Sequence, residues 1–351
     1  MNVERTTRSA AWARAALFAL GPVAVALLAG ALLLLAMGVD PLAYYGYVAG
    51  RGLLSPSGLQ ATLTRMGPLL LIAASLIVAF RAGIWNLGGD GQFLLAAVSA
   101  AAAAPALAAH APVWLVLPAC LVLGAAVAAL WSLLPALLRA FQGINEIITT
   151  LMMTFLGVSL ANVLIKLVFR DPATTVPQTR TLPVADRLPR LFDTTVSSGL
   201  LIGLVAVVAV HLVMTRTAFG LKLRTVGANP GAALHAGLPV PMLTVVVFGI
   251  SAALAGLAGA VDVLGTQGNV RADWNPAYSL TVVPLVFLAR FNGFGTIAFV
   301  FLFSVLSIGG ESAARRLGVP GYFSLVIVAI LLVVLGLAEY LDQRRQRKGE
   351  D

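Results

Sequence analysis

Long apolar runs alternate with short polar breaks along almost the whole chain. Read for hydropathy, the runs predict helices over 15–37, 66–80, 93–109, 113–138, 147–168, 198–214, 242–261, 279–289, 296–308 and 323–341. A helix needs roughly 20 residues to cross about 30 Å of hydrocarbon, and most of these runs come near that length. The second run is unusually short, as are the eighth and ninth, so tilted or interrupted spans are expected. The first run is longer than a signal-peptide core, and no small-x-small cleavage site follows it, which predicts a retained first helix. Ten crossings return the chain to the side on which it began. The expected fold is therefore all-α, a polytopic membrane protein of about ten transmembrane helices. It divides into an N-terminal segment on the inner side (1–14), a single transmembrane domain (15–341) and an inner basic tail (342–351).

The breaks differ in character. Residues 40–60 read as an outer loop containing Gly, Pro and Tyr, and 170–196 as a polar loop too small to be a domain. The interval 215–241 has the punctuation of a very short helix. Asn229 can cap free N–H groups, and Pro230 suits the first helical position, where its missing donor costs nothing. Gly237 suits the left-handed residue just past the end, and Pro239 blocks continuation. Two turns of helix are unstable alone in water because the helical nucleus is unfavourable. Something must pack against it: a docking helix that takes up force from a soluble partner, or a plain capped loop. In the first reading Leu234, with the small Ala233 and Ala236, forms the docking surface.

A second break, Asn86-Leu-Gly-Gly-Asp90-Gly-Gln92, opens the third run, with Asp90 placed to cap it. Glycine-interrupted short spans offer backbone groups at membrane depth. Asn86, Asp90 and Gln92 are thus candidates for a substrate pathway, with a tight turn outside the bilayer as the alternative. Amide side chains offer donors and acceptors without a full charge, which suits a neutral, hydroxyl-rich solute. Asn145 caps the fifth run, with Glu146 in its first turn. In the seventh run Ala252, Gly256 and Ala260 recur four apart beside Ala255 and Gly259, a spacing that lets helix backbones approach closely.

Composition narrows the function. The chain is 60% hydrophobic and 11% charged, with a mean hydropathy of +0.96, which excludes a soluble globular protein. The formal charge of +9 sits mainly in the breaks, where membrane orientation and anionic lipid account for it better than nucleic acid does. With the N-terminus inside, 13 of the 23 Lys and Arg residues fall on the inner side, including the basic tail. The single cysteine, Cys120, excludes an intramolecular disulfide. No Walker A, HExxH or nucleophile-elbow motif occurs, so no catalytic residue and no metal site are assigned. Gly293-Phe-Gly295-Thr-Ile-Ala298 matches a dinucleotide fingerprint in letters only, since it runs into an apolar span. Glu146, Lys166, Asp262, Glu311 and Glu339 read as lying at or near the ends of apolar runs. Ion-driven carriers hold acidic groups in the bundle interior, so energy delivered from outside the bilayer is the favoured reading. An ion-coupled secondary transporter of a small polar solute is the alternative.

Four segments in this order, AGIWNLGGDGQ (82–92), GINEIITTLMM (143–153), FGLKLRTVGANPGAALHAG (219–237) and ALAGLAGAVDVLG (253–265), resemble a permease of an ATP-binding-cassette (ABC) importer. The closest likeness is to the nucleoside and simple-sugar permeases, which are related to the ribose and branched-chain amino-acid permeases. It covers roughly residues 65–341. The resemblance implies a cytoplasmic coupling region seated in a groove of the ATPase, a role that falls by position on Gly227, Asn229, Pro230, Ala232, Ala233, Ala236 and Gly237. It also implies ABC ATPase subunits, a second and non-identical permease and an extracytoplasmic substrate-binding protein as partners. No cofactor is bound by this chain, the ATP being used by the partner ATPase. The implied location is the bacterial cytoplasmic (inner) membrane, crossed many times, with both termini cytoplasmic. Gly231 stands where an acidic residue is expected, and Asp90 where the group shows Glu.

Overall fold

The computed structural model describes residues 21–348. The N-terminal segment 1–14, the start of the first helix (15–20) and the end of the tail (349–351) lie outside the described residues. Within them the chain is all-α. In order come α1 (Gly21–Ala36), α2 (Pro41–Ala49), α3 (Pro56–Arg81), α4 (Gly89–Ala108), α5 (Val113–Trp131), α6 (Leu133–Gln142) and α7 (Glu146–Val163). Then follow α8 (Gly199–Arg216), α9 (Ala218–Ala228), α10 (Pro230–His235), α11 (Val240–Asp262), α12 (Tyr278–Leu288), α13 (Gly293–Leu317) and α14 (Phe323–Lys348). Wider π turns prolong α2, α7 and α11, the last as far as Gln267. Seven of the described helices are long and apolar enough to cross a membrane, counting α5 with α6 as one, and α1 and α12 are shorter apolar helices.

Three expectations are corrected. The second span is not short: α3 runs for 26 residues. Its first turns carry Gln60, Thr62, Thr64 and Arg65, which lower the local hydropathy without breaking the helix, and the Thr62 hydroxyl is satisfied by Gly52 O at 2.8 Å. The 40–60 loop is largely helical, because Asp40 caps α2 by accepting from Leu42 N at 2.9 Å and Pro41 takes the first position. The ninth span is not short either: α13 runs for 25 residues. Asp262 does lie near the end of its span, as the last residue of α11 before the π turn, but its side chain is buried.

The chain folds as two compact units. One comprises the residues up to Thr62, Phe287–Ala289 and the residues from Leu302 on. Its core is aromatic: Tyr44 of α2 meets Tyr45 and Phe323 edge-on, with ring centroids 5.6 and 5.4 Å apart, and Tyr45 donates to Leu27 O at 2.8 Å. The other unit comprises Leu63–Val286 and Arg290–Phe301. There α11 lies against both α4 and α5 through Ala252, Ala255, Gly256, Gly259 and Ala260, all buried. Lipid tails are as apolar as leucine, so close backbone approach between small residues, rather than hydrophobicity, holds such helices together. Most of the apolar window of α3 is buried, whereas α5, α7 and α8 bury less than a third of theirs. The latter three therefore present their outer faces to lipid or to another chain.

Candidate functional site

Two features of the second unit carry the functional argument, an arm (α9–α10) at one end and the break between α3 and α4. Thr217 opens α9, its hydroxyl accepting from Gly220 N at 3.2 Å. Asn229 closes α9 and caps α10, accepting from Ala232 N at 3.0 Å. At the other end Leu238 N donates to Ala233 O and Gly237 N to Leu234 O, both at 3.0 Å, with Gly237 at φ +77°. This paired closure around a left-handed glycine is a Schellman motif, and it satisfies carbonyls that would otherwise be orphaned. Asn229, Pro230 and Gly237 thus do locally what their sequence spacing predicts. Ala233 is fully buried, but Ala232, Ala236 and Leu234 are exposed, Leu234 to 60%. Gly227 turns inward, against the main chain of Arg81–Gly83.

The break runs inward from that contact. Residues 82–88 leave the helical path, and their polar groups find partners on neighbouring helices. Leu87 N donates to the Thr150 hydroxyl of α7 at 3.2 Å, and Thr154 donates to Leu87 O at 3.0 Å. Asn86 and Gln92 exchange two amide hydrogen bonds of 3.2 Å each, and Asn86 Oδ1 also accepts from Gly88 N. Asn86 Nδ2 further donates to Ser251 Oγ at 3.0 Å, and Ser251 is bonded to Ser75 of α3 at 2.9 Å. Ser251 lies roughly 16 Å along α11 from its first residue, at 1.5 Å per residue, near the midpoint of that long helix. Non-helical backbone at such depth persists only where protein groups satisfy it. Here α7 satisfies the main chain of Leu87, while Gln92 of α4 and Ser251 of α11 hold the Asn86 side chain.

Asp90 does not cap α4. The cap position is Gly88, which makes no side-chain bond, and Asp90 Oδ1 accepts instead from Ser279 N at 2.9 Å, in the first turn of α12. One carboxylate therefore sits in the first turn of its own helix and bonds the free N–H of another, where both dipoles favour negative charge. Gly89 makes room for this approach, since a Cβ there would overlap Ser279. Phe93 packs against Tyr278 and Trp274 beside it. Asn86, Asp90 and Gln92 are thus close together, and all are buried, at 1%, 7% and 1% exposure. Outward from the break faces Trp85, 40% exposed.

Sequence reasoning missed Ser75, Thr150, Thr154 and Ser251. Their signal was available: hydroxyls inside apolar runs need partners, and Thr150 and Thr154 stand four apart on one helix face. Asp262 is also buried, one carboxylate oxygen lacking a hydrogen-bond partner, with Arg65 of α3 within electrostatic reach. At the opposite end from the arm, the 170–198 loop is tied to the 268–277 loop by Thr179 N to Val270 O and Leu182 N to Gly268 O. A cavity of about 170 Å³ there is lined by Thr64, Arg187, Arg190, Thr195 and Thr266 among others. Among the described residues no three His, Cys, Asp or Glu side chains gather as a metal site would require.

Residues 58–335 match the family described as branched-chain amino acid transport system / permease component. The chain belongs to this family. It is a permease subunit of an ABC importer, and such subunits are not themselves enzymes. The permease is 33% identical to the glucose ABC transporter permease protein TsgB13 of Haloferax volcanii over 94% of this chain and 90% of that protein. It is 28% identical to the nucleoside ABC transporter permease protein NupB of Lactococcus lactis, covering 88% and 87% of the two chains. It is likewise 28% identical to the guanosine ABC transporter permease protein NupP of Bacillus subtilis, covering 78% and 79%. No solved structure matches the permease significantly. Membership of the family implies a complex with ATPase partners.

Proposed function

We propose that this permease imports a nucleoside or simple sugar across the bacterial cytoplasmic membrane, with α10 docked in a groove of the ATPase as the coupling helix. The observation that carries the reading is Leu234. A six-residue helix closed at both ends holds a large apolar side chain 60% exposed, beside the small exposed Ala232 and Ala236, while Ala233 is buried against the permease itself and does not belong to the docking surface. Unlike the exposed apolar side chains of the long spans, it stands on a short helix within a polar, basic interval, where a knob of this kind suits a complementary pocket on a partner. Exposed Arg216, Lys222 and Arg224 surround the arm, and residues 215–241 contain no acidic side chain. A surface complementary to them is acidic, and the acidic contact expected at position 231 has no counterpart in this chain, where Gly231 stands.

The arm and both termini lie on the cytoplasmic side in this reading, as the excess of Lys and Arg there favours. The 170–198 and 268–277 loops then face the extracytoplasmic binding protein, and a second, non-identical permease completes the pathway. Relatives named for glucose, nucleosides and guanosine support a neutral, hydroxyl-rich solute. Asn86, Asp90 and Gln92 serve the pathway by holding its wall, and Trp85 is the side chain of the break that turns towards the solute. Leu234→Asp tests the coupling reading, because it would bury an unpaired charge in the groove. The expected outcome is a complex that fails to assemble, or one that hydrolyses ATP without uptake. Assembly and uptake at the wild-type level would refute docking through α10.

A further inference from the structure

The arm meets the break through backbone alone. A Cβ on Gly227 would stand 2.5 Å from Arg81 O and 2.8 Å from both Ala82 C and Gly83 N. A Cβ on Gly83 would stand 2.9 Å from Gly227 Cα, and Gly83 occupies the left-handed region at φ +71°. No flexible side chain lies between the two segments to absorb a displacement, and packed interiors transmit strain. The turn is held from a third direction, where Arg81 Nη2 donates to Phe291 O at 3.1 Å. Gly83 is the second residue of the break, and Asn86 and Leu87 further along it are bonded to Ser251, Thr150 and Thr154. The arm also contacts α8 and the start of α11, but both are regular helices that continue into the bundle as rods. Gly83 combines a contact with the arm and the left-handed turn that closes α3, its N–H donating to Phe80 O and that of Ile84 to Ala79 O, both at 3.0 Å, so the chain changes direction there while α3 stays capped.

We propose that Gly227 and Gly83 form a pivot through which movement of the coupling arm displaces the membrane-depth break. Gly227 is then a positioning residue that acts inside the permease, not in the ATPase groove where its place in the family motif would put it. The inference rests on the coupling reading above. Wedge and hinge are both required: α9 presses on the Arg81–Gly83 main chain, and Gly83 lets the residues after it swing without unravelling α3.

Two measurements on the full transport complex test this. Hydrogen exchange of the wild-type complex is compared with ADP bound and with ATP trapped by a hydrolysis-deficient ATPase. The pivot predicts that protection changes in residues 218–237 are accompanied by changes in residues 82–88. A change confined to 218–237, or no change in either segment, would overturn the pivot and leave docking, which Leu234→Asp tests, intact. The second measurement is the ratio of solute imported to ATP hydrolysed by the assembled Gly227→Ala complex. That ratio is expected to fall about tenfold, within the usual range of coupling between separate sites, with hydrolysis continuing. A purely structural glycine would reduce the yield of complex but leave the ratio at its wild-type value, which would overturn the pivot. Should Gly227→Ala fail to assemble, the exchange comparison decides alone.

Discussion

Two glycines of α11 make one substitution act in opposite directions. A Cβ on Gly259 would lie 2.1 Å from Phe93 O and 3.2 Å from Ala97 N of α4, whereas a Cβ on Gly249 would meet nothing within 4 Å. Ordinary contact requires roughly 3.5 Å, so Gly259→Ala must push α4 away by about 1 Å or more. The obstructing atom is a backbone carbonyl, which cannot rotate aside as a side chain can. Overpacking of this kind costs about 1–3 kcal/mol, while alanine in place of a helical glycine contributes about 1 kcal/mol of stability. Gly259→Ala is therefore expected to destabilise the permease by up to about 2 kcal/mol, and Gly249→Ala to stabilise it by up to about 1 kcal/mol. Because α4 also carries Gln92 and Asp90, the displacement should reduce uptake as well. Thermal unfolding of the two purified variants in the same nanodisc measures the difference. If Gly259→Ala unfolded at the same temperature as Gly249→Ala or above it, close backbone packing of α4 on α11 would be wrong.

Three further outcomes are expected. Asn86→Leu leaves the buried Gln92 amide unpaired and should cost about 1–3 kcal/mol, whereas Gln92→Leu leaves Asn86 bonded to Gly88 and Ser251 and should cost less, with the double variant costing clearly less than the sum; additive losses of thermal stability would contradict their mutual pairing. Asn229→Ala removes the α10 cap, costing about 1 kcal/mol locally, and should weaken ATPase binding in a pull-down, with Asn229→Ser restoring it. If Asn229→Ser bound as weakly as Asn229→Ala, the cap would not be what matters. Single cysteines replacing Lys222 and Arg271 in a Cys120→Ala background should react with an impermeant maleimide from opposite sides of the membrane, and labelling of both in intact cells would reverse the proposed orientation.

Much of this protein is determined within short windows of its sequence. The apolar runs demand helices, because a backbone in hydrocarbon must satisfy its own hydrogen bonds. Asn229, Pro230 and Gly237 define α10 from nine consecutive residues, and Asn145 caps α7 by accepting from Ile147 N at 2.9 Å. Each of these acts over a turn or two of chain, so spacing is enough to read it. Other features depend on which helices become neighbours. Asp90 reads as the cap of α4, but its partner Ser279 is 189 residues away. Ser75 and Ser251, 176 residues apart, close the network that holds the break. The length of α3 is hidden by Thr62, whose polarity disappears once Gly52 accepts its hydroxyl. Gly227 reads as part of a docking motif, yet its closest neighbours are the main chain of Arg81–Gly83. A polar group in a bilayer must find a partner, and hydropathy records only the need. The fit of glycine and alanine between α4, α5 and α11 brings the helices within reach of one another, and that fit decides which partner each group finds.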